Sequence, residues 1–386
     1  MLDALVLLLL FACLPGSVEL LLLSLGGLLP ARPAPRGTAP HPRLAVVVPA
    51  HDEASGIAAC VASLQACEGS HDVVVIADNC SDDTAQLAEA AGARVLVRHD
   101  ENRRGKGWAL DFAFRQLLDE GYEALAVVDA DSRVDPDFVR CLCERLACGA
   151  DAVQARYQVL NPDGSLRTRL MSVAFMAFNV LRPRGRARWG LSAGILGNGF
   201  ALSADTLRAI PYEARSVVED LEYHLRLVRA KRRVEFADET CVFGEMPEGG
   251  SASGTQRARW EGGRLRMMRE TAPSLSREVF LRGRWSLLEP LLELLLLPLS
   301  QHVMLLAVAA ALPSAWRPAA LAGLALVGLH VLAGLRVGGG GWRDLGALAS
   351  APLYVIWKLT LAKALARAST DSADWVRTAR NDDPAT

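Results

Sequence analysis

The feature that most constrains this chain is where its apolar residues lie. Leu2 to Leu29 is almost entirely apolar, interrupted by Asp3, Pro15 and Glu19, and apolar runs return at Leu287 to Leu312, Ala319 to Leu335 and Leu345 to Ala366. About 20 such residues cross a bilayer as a helix, so the pattern reads as a polar middle held between membrane segments. The first run has no basic amino-terminal region and is long for a cleaved leader, and so is expected to be a retained helix kinked near Pro15-Gly16. Arg32, Arg36 and Arg43 follow it directly, which by the positive-inside rule puts the middle on the cytoplasmic face of the cell membrane. Glu289 and Glu293 interrupt the second run, and Lys358 and Lys363 make the second half of the last one amphipathic. The expected organisation is a membrane helix at 1–29, a Pro-rich spacer at 30–43, a polar domain at 44–270, a membrane region of two or three helices at 271–368 and a polar tail at 369–386.

The middle alternates short β-branched runs with helical stretches. Leu44 to Val48 reads as a buried strand that Pro49 stops, followed by a helix near Ser55 to Ala66 and a strand at Asp72 to Ala77. Ser81 or Asp82 is placed to cap the next helix. Arg94 to Val97 is a third strand, Gly107 to Leu118 a helix and Ala124 to Val128 a fourth strand. Such spacing implies parallel strands with right-handed crossovers and a ligand at the strand ends. Further on come a strand at Ala152 to Val159, a helix at Ser165 to Leu181, a short strand at Ala201 to Ser203, a helix from Ser216 to Ala230 and strands at Arg233 to Ala237 and Thr240 to Phe243. Glu248 to Thr255 reads as a flexible loop that closes over substrate.

Val127-Val128-Asp129-Ala130-Asp131-Ser132 leaves a buried strand with two carboxylates one residue apart. Hard oxygen ligands there suit Mg²⁺ or Mn²⁺ on a diphosphate. The competing reading is that Asp-x-Asp ends the strand and caps a helix opened by Pro136. Asn102 to Gly107, with Lys106, could approach phosphates, although taken as an isolated motif a solvated loop is the better reading. Arg182 to Trp189 reads either as a loop meeting anionic groups or as a plain solvated one. Neither a P-loop nor a Gly-x-Gly-x-x-Gly fingerprint follows the first strand, which counts against those nucleotide enzymes. With 42 basic and 43 acidic residues there is no electrostatic case for nucleic acid. The eight cysteines hold no Cys-x-x-Cys pair and read as small buried residues in a reducing compartment.

Five separated motifs together resemble the inverting glycosyltransferases of family 2, in particular the membrane-bound branch of cellulose, hyaluronan and poly-N-acetylglucosamine synthases and ceramide glucosyltransferases. They are Val48 to Glu53, Asp78, Asp129-Ala130-Asp131, Glu219-Asp220 and Gln256-Arg257-Ala258-Arg259-Trp260. The resemblance implies a GT-A-type mixed α/β sheet flanked by helices, with amino- and carboxyl-terminal transmembrane helices. It also implies a nucleotide-diphosphate sugar donor, expected to be a UDP-sugar, and Mg²⁺ or Mn²⁺. Carried onto this chain, it makes Asp78 the carboxylate that recognises the nucleotide, with Pro49, His51 and Glu53 lining base and ribose. Lys106 joins the donor-binding residues, Asp129 faces the nucleotide, Asp131 binds the metal and Asp220 is the general base. Gln256, Arg259 and Trp260 become acceptor-side and pyrophosphate contacts.

Synthases that thread a polymer through the membrane surround it with many helices, whereas this chain offers one before the domain and two or three after. The expected acceptor is therefore a membrane lipid or lipid-linked molecule, with extension of a β-linked glycan as the alternative. A nucleotidyltransferase, or a nonenzymatic membrane scaffold, ranks behind both.

Overall fold

A computed structural model describes residues 1–35 and 39–360. Arg36, Lys363, the end of the last apolar run and the tail at 369–386 lie outside the described residues. The chain begins with α1 (Leu2–Leu28), continuous through Pro15; its 27 residues span about 40 Å at about 1.5 Å each, enough to cross a bilayer.

An α/β unit follows. Its elements are β1 (Leu44–Ala50), α2 (Ile57–Gln65), β2 (Asp72–Asp78), α3 (Thr84–Ala90), β3 (Arg94–Arg98), α4 (Lys106–Asp119), β4 (Ala124–Val127), β5 (Ser132–Val134), α5 (Phe138–Ala147) and β6 (Ala152–Val159). The chain then runs through α6 (Leu166–Phe175), a π-helical stretch at Met176–Leu181 and α7 (Arg182–Arg188). It returns to the sheet with β7 (Phe200–Ser203), α8 (Ala204–Ala209), α9 (Glu219–Arg229) and β8 (Val234–Gly244). The sheet order is β3-β2-β1-β4-β7-β6-β8-β5. The first four strands are parallel; β7 lies antiparallel between β4 and β6, and β5 antiparallel to β8, so the sheet is mixed as expected. Val46, Val48, Val74, Ile76, Leu125 and Val127 are fully buried, as strands covered on both faces require. The order reverses at β1, whose neighbours β2 and β4 lie on opposite sides, and open α/β sheets bind ligands at the carboxyl ends beside such a reversal.

Several local expectations are corrected. Pro49 does not stop the first strand but pairs with Ile76. Val47 O accepts from Val128 N, so Pro49, two residues on, turns its missing N–H toward the same side, where the β1–β4 ladder has already ended at Val47 and Val127. Asp129 and Asp131 cap no helix: the chain goes from them into β5, and α5 starts only at Phe138. Asp83 occupies the N-cap position of α3, while Asp82 Oδ1 accepts from Thr84 N at 3.0 Å and Ser81 donates its N–H to Asp52 instead. The two strands read at 233–237 and 240–243 are one, β8, accommodated against β6 by an irregularity at Ala155/Arg156.

Helix α10 (Gly250–Arg282) takes up the second half of the stretch read as a flexible loop, together with the Gln256-to-Trp260 motif and the arginines at 264, 266 and 269. Beyond it lie α11 (Leu288–Leu295), α12 (Leu299–Ala311), α13 (Arg317–Gly338), α14 (Trp342–Ala347) and α15 (Ala351–Thr360). The run 287–312, read as one span, is two helices bent by 72°, since Pro298 cannot continue a helix through the break. Helices α1 and α13 are each long and apolar enough to cross a membrane, and the bent pair makes a third if it counts as one span.

The chain divides into two compact units. One comprises Ala31–Thr168 and Gly190–Ser253 and holds the sheet; the other comprises Met1–Pro30, Arg169–Trp189 and, among the described residues, 254–360, and is helical. Within the helical unit, Cys13 and Leu20 of α1 pack with Leu306 and Val327. The arginine-rich stretch after Leu181 is a helix, not a loop. Pro183 sits in the first turn of α7, where a missing N–H costs nothing. Arg186 is 3 % exposed and binds Glu289 at 2.6 Å, Glu293 at 3.0 Å and Glu19 at 3.2 Å.

Candidate active site

The carboxyl end of β4 carries the first group of expected residues. Asp129 and Asp131 both stand partly exposed in the turn between β4 and β5. Lys106, the first residue of α4, reaches across to Asp129: its ammonium donates to Asp129 Oδ1 and to the Gly197 carbonyl, each at 2.5 Å, and lies 4.0 Å from Glu219 Oε1. The solvated-loop reading of this lysine is thereby corrected. Burial works against its charge, but Asp129, Glu219 and Asp220 together outweigh it and hold the pKa above the ordinary lysine value.

Glu219 and Asp220 open α9. Asp220 Oδ1 accepts the N–H of Leu221 at 2.8 Å, which helps keep the carboxylate charged at a helix amino terminus. Burial overrides that effect, with the Asp129 charge adding to it, and Asp220 is raised above the ordinary aspartate range. Glu219 is pushed up to about 7, chiefly by burial and further by Asp220, against the pull of Lys106. A carboxylate whose proton affinity moves toward neutrality suits proton transfer at physiological pH. Gly197 lies against it: a Cβ added there would stand 3.0 Å from Asp220 Oδ2, and the backbone has φ +79°, so this position requires glycine.

At the ends of β1 and β2 the structure assembles the second group. His51 Nδ1 hydrogen-bonds the Asp78 carbonyl at 2.7 Å. Glu53 is buried, and its N–H donates to Thr84 Oγ1 at 2.8 Å. Asp78 itself is buried against Arg98, whose Nη1 meets its Oδ1 at 2.5 Å, and also accepts from Asn79 Nδ2. Burial raises the Asp78 pKa despite that guanidinium. Asp52 and Asn79, both at φ 53°, turn the chain sharply out of their strands. Arg98 was not singled out in the sequence; its one signal is β2–β3 register, which pairs Asp78 with Arg98 across twenty residues.

Gln256, Arg259 and Trp260 belong to the helical unit, on α10. Trp260 packs on Phe175 with ring centroids 6.4 Å apart, and Gln256 is buried with its Oε1 unpaired among the described residues.

Two carboxylate groups could hold a cation. Asp52, Cys80 and Asp82 cluster closely. Their oxygens, however, serve backbone groups, Asp52 accepting from Ser81 N and Asp82 from Thr84 N and Ala54 N, so the cluster ties two loops together. Asp131 is the better fit: a partly exposed hard oxygen donor at the strand end, oriented by Ser132 Oγ at 3.1 Å and two residues from a second carboxylate.

Known proteins place this geometry in context. The family described as glycosyltransferase like family 2 matches residues 41–263. Among curated proteins, the chain is 24 % identical over 234 residues to a probable glycosyltransferase, YdaM, of Bacillus subtilis (strain 168), covering 58 % of this chain and 55 % of that one. It therefore spans about half the length of that relative. It is 27 % identical over 245 residues to the undecaprenyl-phosphate mannosyltransferase of Micrococcus luteus, covering 58 % of this chain and 99 % of that protein. Among solved structures, the mannosyltransferase PcManGT from Pyrobaculum calidifontis, in complex with GDP-Man and Mn²⁺, superimposes with a TM-score of 0.57 over 96 % of this chain and 98 % of that one, at 17 % identity. That likeness supports the mixed α/β fold with its flanking helices.

Proposed function

The chain belongs to glycosyltransferase like family 2, and on that premise we propose that it moves a sugar from a nucleotide-diphosphate donor to a membrane lipid or lipid-linked acceptor, with inversion at the anomeric carbon. The observation that carries the reading is the convergence, at one end of the sheet, of Asp129 with Glu219 through Lys106, beside Gly197 and Asp220. A transfer of this kind needs a charge-stabilising side for the departing diphosphate and a base for the incoming hydroxyl, and the α/β unit supplies both in one place.

In this reading residues 44–270 are the catalytic domain and the donor lies over β1 and β4. Pro49, His51, Glu53 and Asp78 line the base and ribose, with Arg98 fixing the Asp78 carboxylate. Asp129 faces the nucleotide, and Lys106 holds Asp129 and the Gly197 carbonyl at a fixed separation. Asp131 would hold Mg²⁺ or Mn²⁺, which when bound offsets the charge that grows on the diphosphate. Asp220 accepts the proton of the acceptor hydroxyl as it attacks from the face opposite the leaving group, so one displacement inverts configuration. Gln256, Arg259 and Trp260 act on the acceptor and pyrophosphate side. Support for a lipid acceptor comes from the Micrococcus relative, whose named acceptor is a lipid phosphate, and from α1 and α13, each long and apolar enough to span a bilayer. A multi-pass position in the cell membrane with the catalytic domain cytoplasmic follows from the same reading.

The test is to incubate the detergent-solubilised full chain with Mn²⁺, a membrane lipid extract and a panel of UDP- and GDP-sugars, following nucleotide release and label in lipid together. Release coupled to labelled lipid is expected. Label in a long polymer formed from donor alone would replace the lipid acceptor with a growing glycan, and absence of release with every donor would overturn the transferase reading.

A further inference from the structure

Asn198 is fully buried between two glycines with positive φ, Gly197 at +79° and Gly199 at +69°. Its amide faces the β4–β5 turn on both sides. The Asp129 N–H can only donate, so the atom it meets at 3.0 Å is Asn198 Oδ1. The Nδ2 on the other side donates to Ser132 Oγ at 2.8 Å. Having received that hydrogen, the fully buried Ser132 hydroxyl directs its own to Asp131 Oδ1 at 3.1 Å. A chain of donors thus runs from the Asn198 amide to the Asp131 carboxylate, while the opposite end of the same amide holds the Asp129 backbone.

The segment that carries Asn198 is itself fixed. Gln154, fully buried, donates to the Asn198 carbonyl at 2.8 Å and accepts from Leu196 N at 2.9 Å. Gly199 N bonds Val127 O, and Ala155 N bonds Gly199 O, each at 2.9 Å. Gly197 is held by Lys106 on its carbonyl and abuts Asp220.

We propose that Asn198 is the positioning residue for the metal-holding carboxylate: acting through the Ser132 hydroxyl, it sets the direction of Asp131, and through the Asp129 backbone it sets the separation of the two acids. The proposal rests on Asp131 holding the divalent ion, as in the reading above. Groups that orient a metal ligand set its affinity, and their loss costs roughly 10- to 100-fold in binding. A turn residue that merely satisfied a buried N–H would need only the bond to Asp129; the second bond, relayed to Asp131, gives the amide its role in the metal site.

Electron paramagnetic resonance of Mn²⁺ tests this on the full chain in detergent, titrated in the presence of GDP or UDP. Ser132→Ala removes the relay and keeps the Asn198–Asp129 bond. It is expected to weaken Mn²⁺ binding roughly tenfold or more while leaving nucleotide affinity without metal unchanged. Asn198→Asp serves as the second variant: a carboxylate at 198 has no hydrogen to give and would accept the Ser132 hydroxyl's hydrogen bond in place of Asp131, and the same weakening is expected. Mn²⁺ affinity within twofold of the unmodified chain in both variants would overturn the proposal alone. An unmodified chain that binds no Mn²⁺ with either nucleotide would overturn the metal-dependent reading itself and this proposal with it.

Discussion

The α/β unit and the helical unit both draw acids and bases out of water, and they do so to opposite ends. In the α/β unit Lys106 meets the acids around it at unequal distances. One ammonium contacts Asp129 and the Gly197 carbonyl, with Glu219 at 4.0 Å, and Glu219 and Asp220 are pushed up by burial. In the helical unit Arg186 is enclosed by Glu19, Glu289 and Glu293, contributed by two other helices, at distances of 2.6 to 3.2 Å. Each cluster sets one cation against three acids, but Arg186 bonds all three and so ties its helices together, whereas Lys106 bonds Asp129 and leaves Glu219 at 4.0 Å. Burial of charge is therefore no index of catalysis by itself, and the feature that differs is whether the cation bonds every acid around it.

Breaking each cluster should separate these roles. The largest effect is expected from Asp220→Asn, which keeps the shape of the side chain and removes the proposed base: turnover should fall by roughly 10²–10⁴-fold with donor affinity retained, as nucleotide release and donor titration would show. Turnover near that of the unmodified chain would move the base elsewhere. In the helical unit, Arg186→Met leaves three acids without their shared cation. Loss of one partner of a buried pair costs about 3–5 kcal/mol, so thermal melting in detergent should drop sharply. Unchanged melting would mean that packing alone orders those helices.

The two units were also unequally legible in the sequence. Buried strands announce themselves as β-branched runs, and the four parallel strands were placed to within about two residues because each run of valines ends at a charged or turn residue such as Asp78 or Asp129. The helical unit resisted because its signals are relational. Arginines 182 to 188 read as a loop, either solvated or meeting anionic groups, since nothing in the local sequence shows that glutamates more than a hundred residues on will surround Arg186. The same limit hid Arg98, which strand register sets beside Asp78 twenty residues away, and the Asn198–Ser132 link, which joins a loop residue to a strand 66 residues distant. The bend at Pro298 rests on one proline inside an apolar run whose length alone reads as a single span.

A smaller effect tests packing between apolar surfaces in the helical unit. Gly185 of α7 meets α1 so closely that an added Cβ would collide with the Leu23 carbonyl oxygen. Small residues let helix backbones approach in this way. Gly185→Ala should force the two helices apart at a cost of about 1–3 kcal/mol, read as a lowered melting temperature with Arg186 left in place. If melting does not change, α1 and α7 adjust independently of the ion cluster.

The smallest effect sharpens the account of the charges around Lys106. Glu219 sits at about 7 in the folded chain against an ordinary value of 4.5. Between those values the folded chain holds a proton that the unfolded chain has released. The cost of burying this group is therefore absent below about pH 4.5, grows as pH rises through the window, and is constant above about pH 7. Glu219→Gln removes the ionisation, so the variant should melt above the unmodified chain at pH 8, with the difference shrinking toward pH 5. The same substitution takes a negative neighbour from Asp220, and two adjacent acids titrate as a pair. Asp220 should then lose its proton at lower pH, moving the acidic limb of the kcat/KM profile downward in pH. A stability difference without movement of that limb would show that burial alone sets the proton affinity of Asp220, and would leave Glu219 acting on Lys106 rather than on the base.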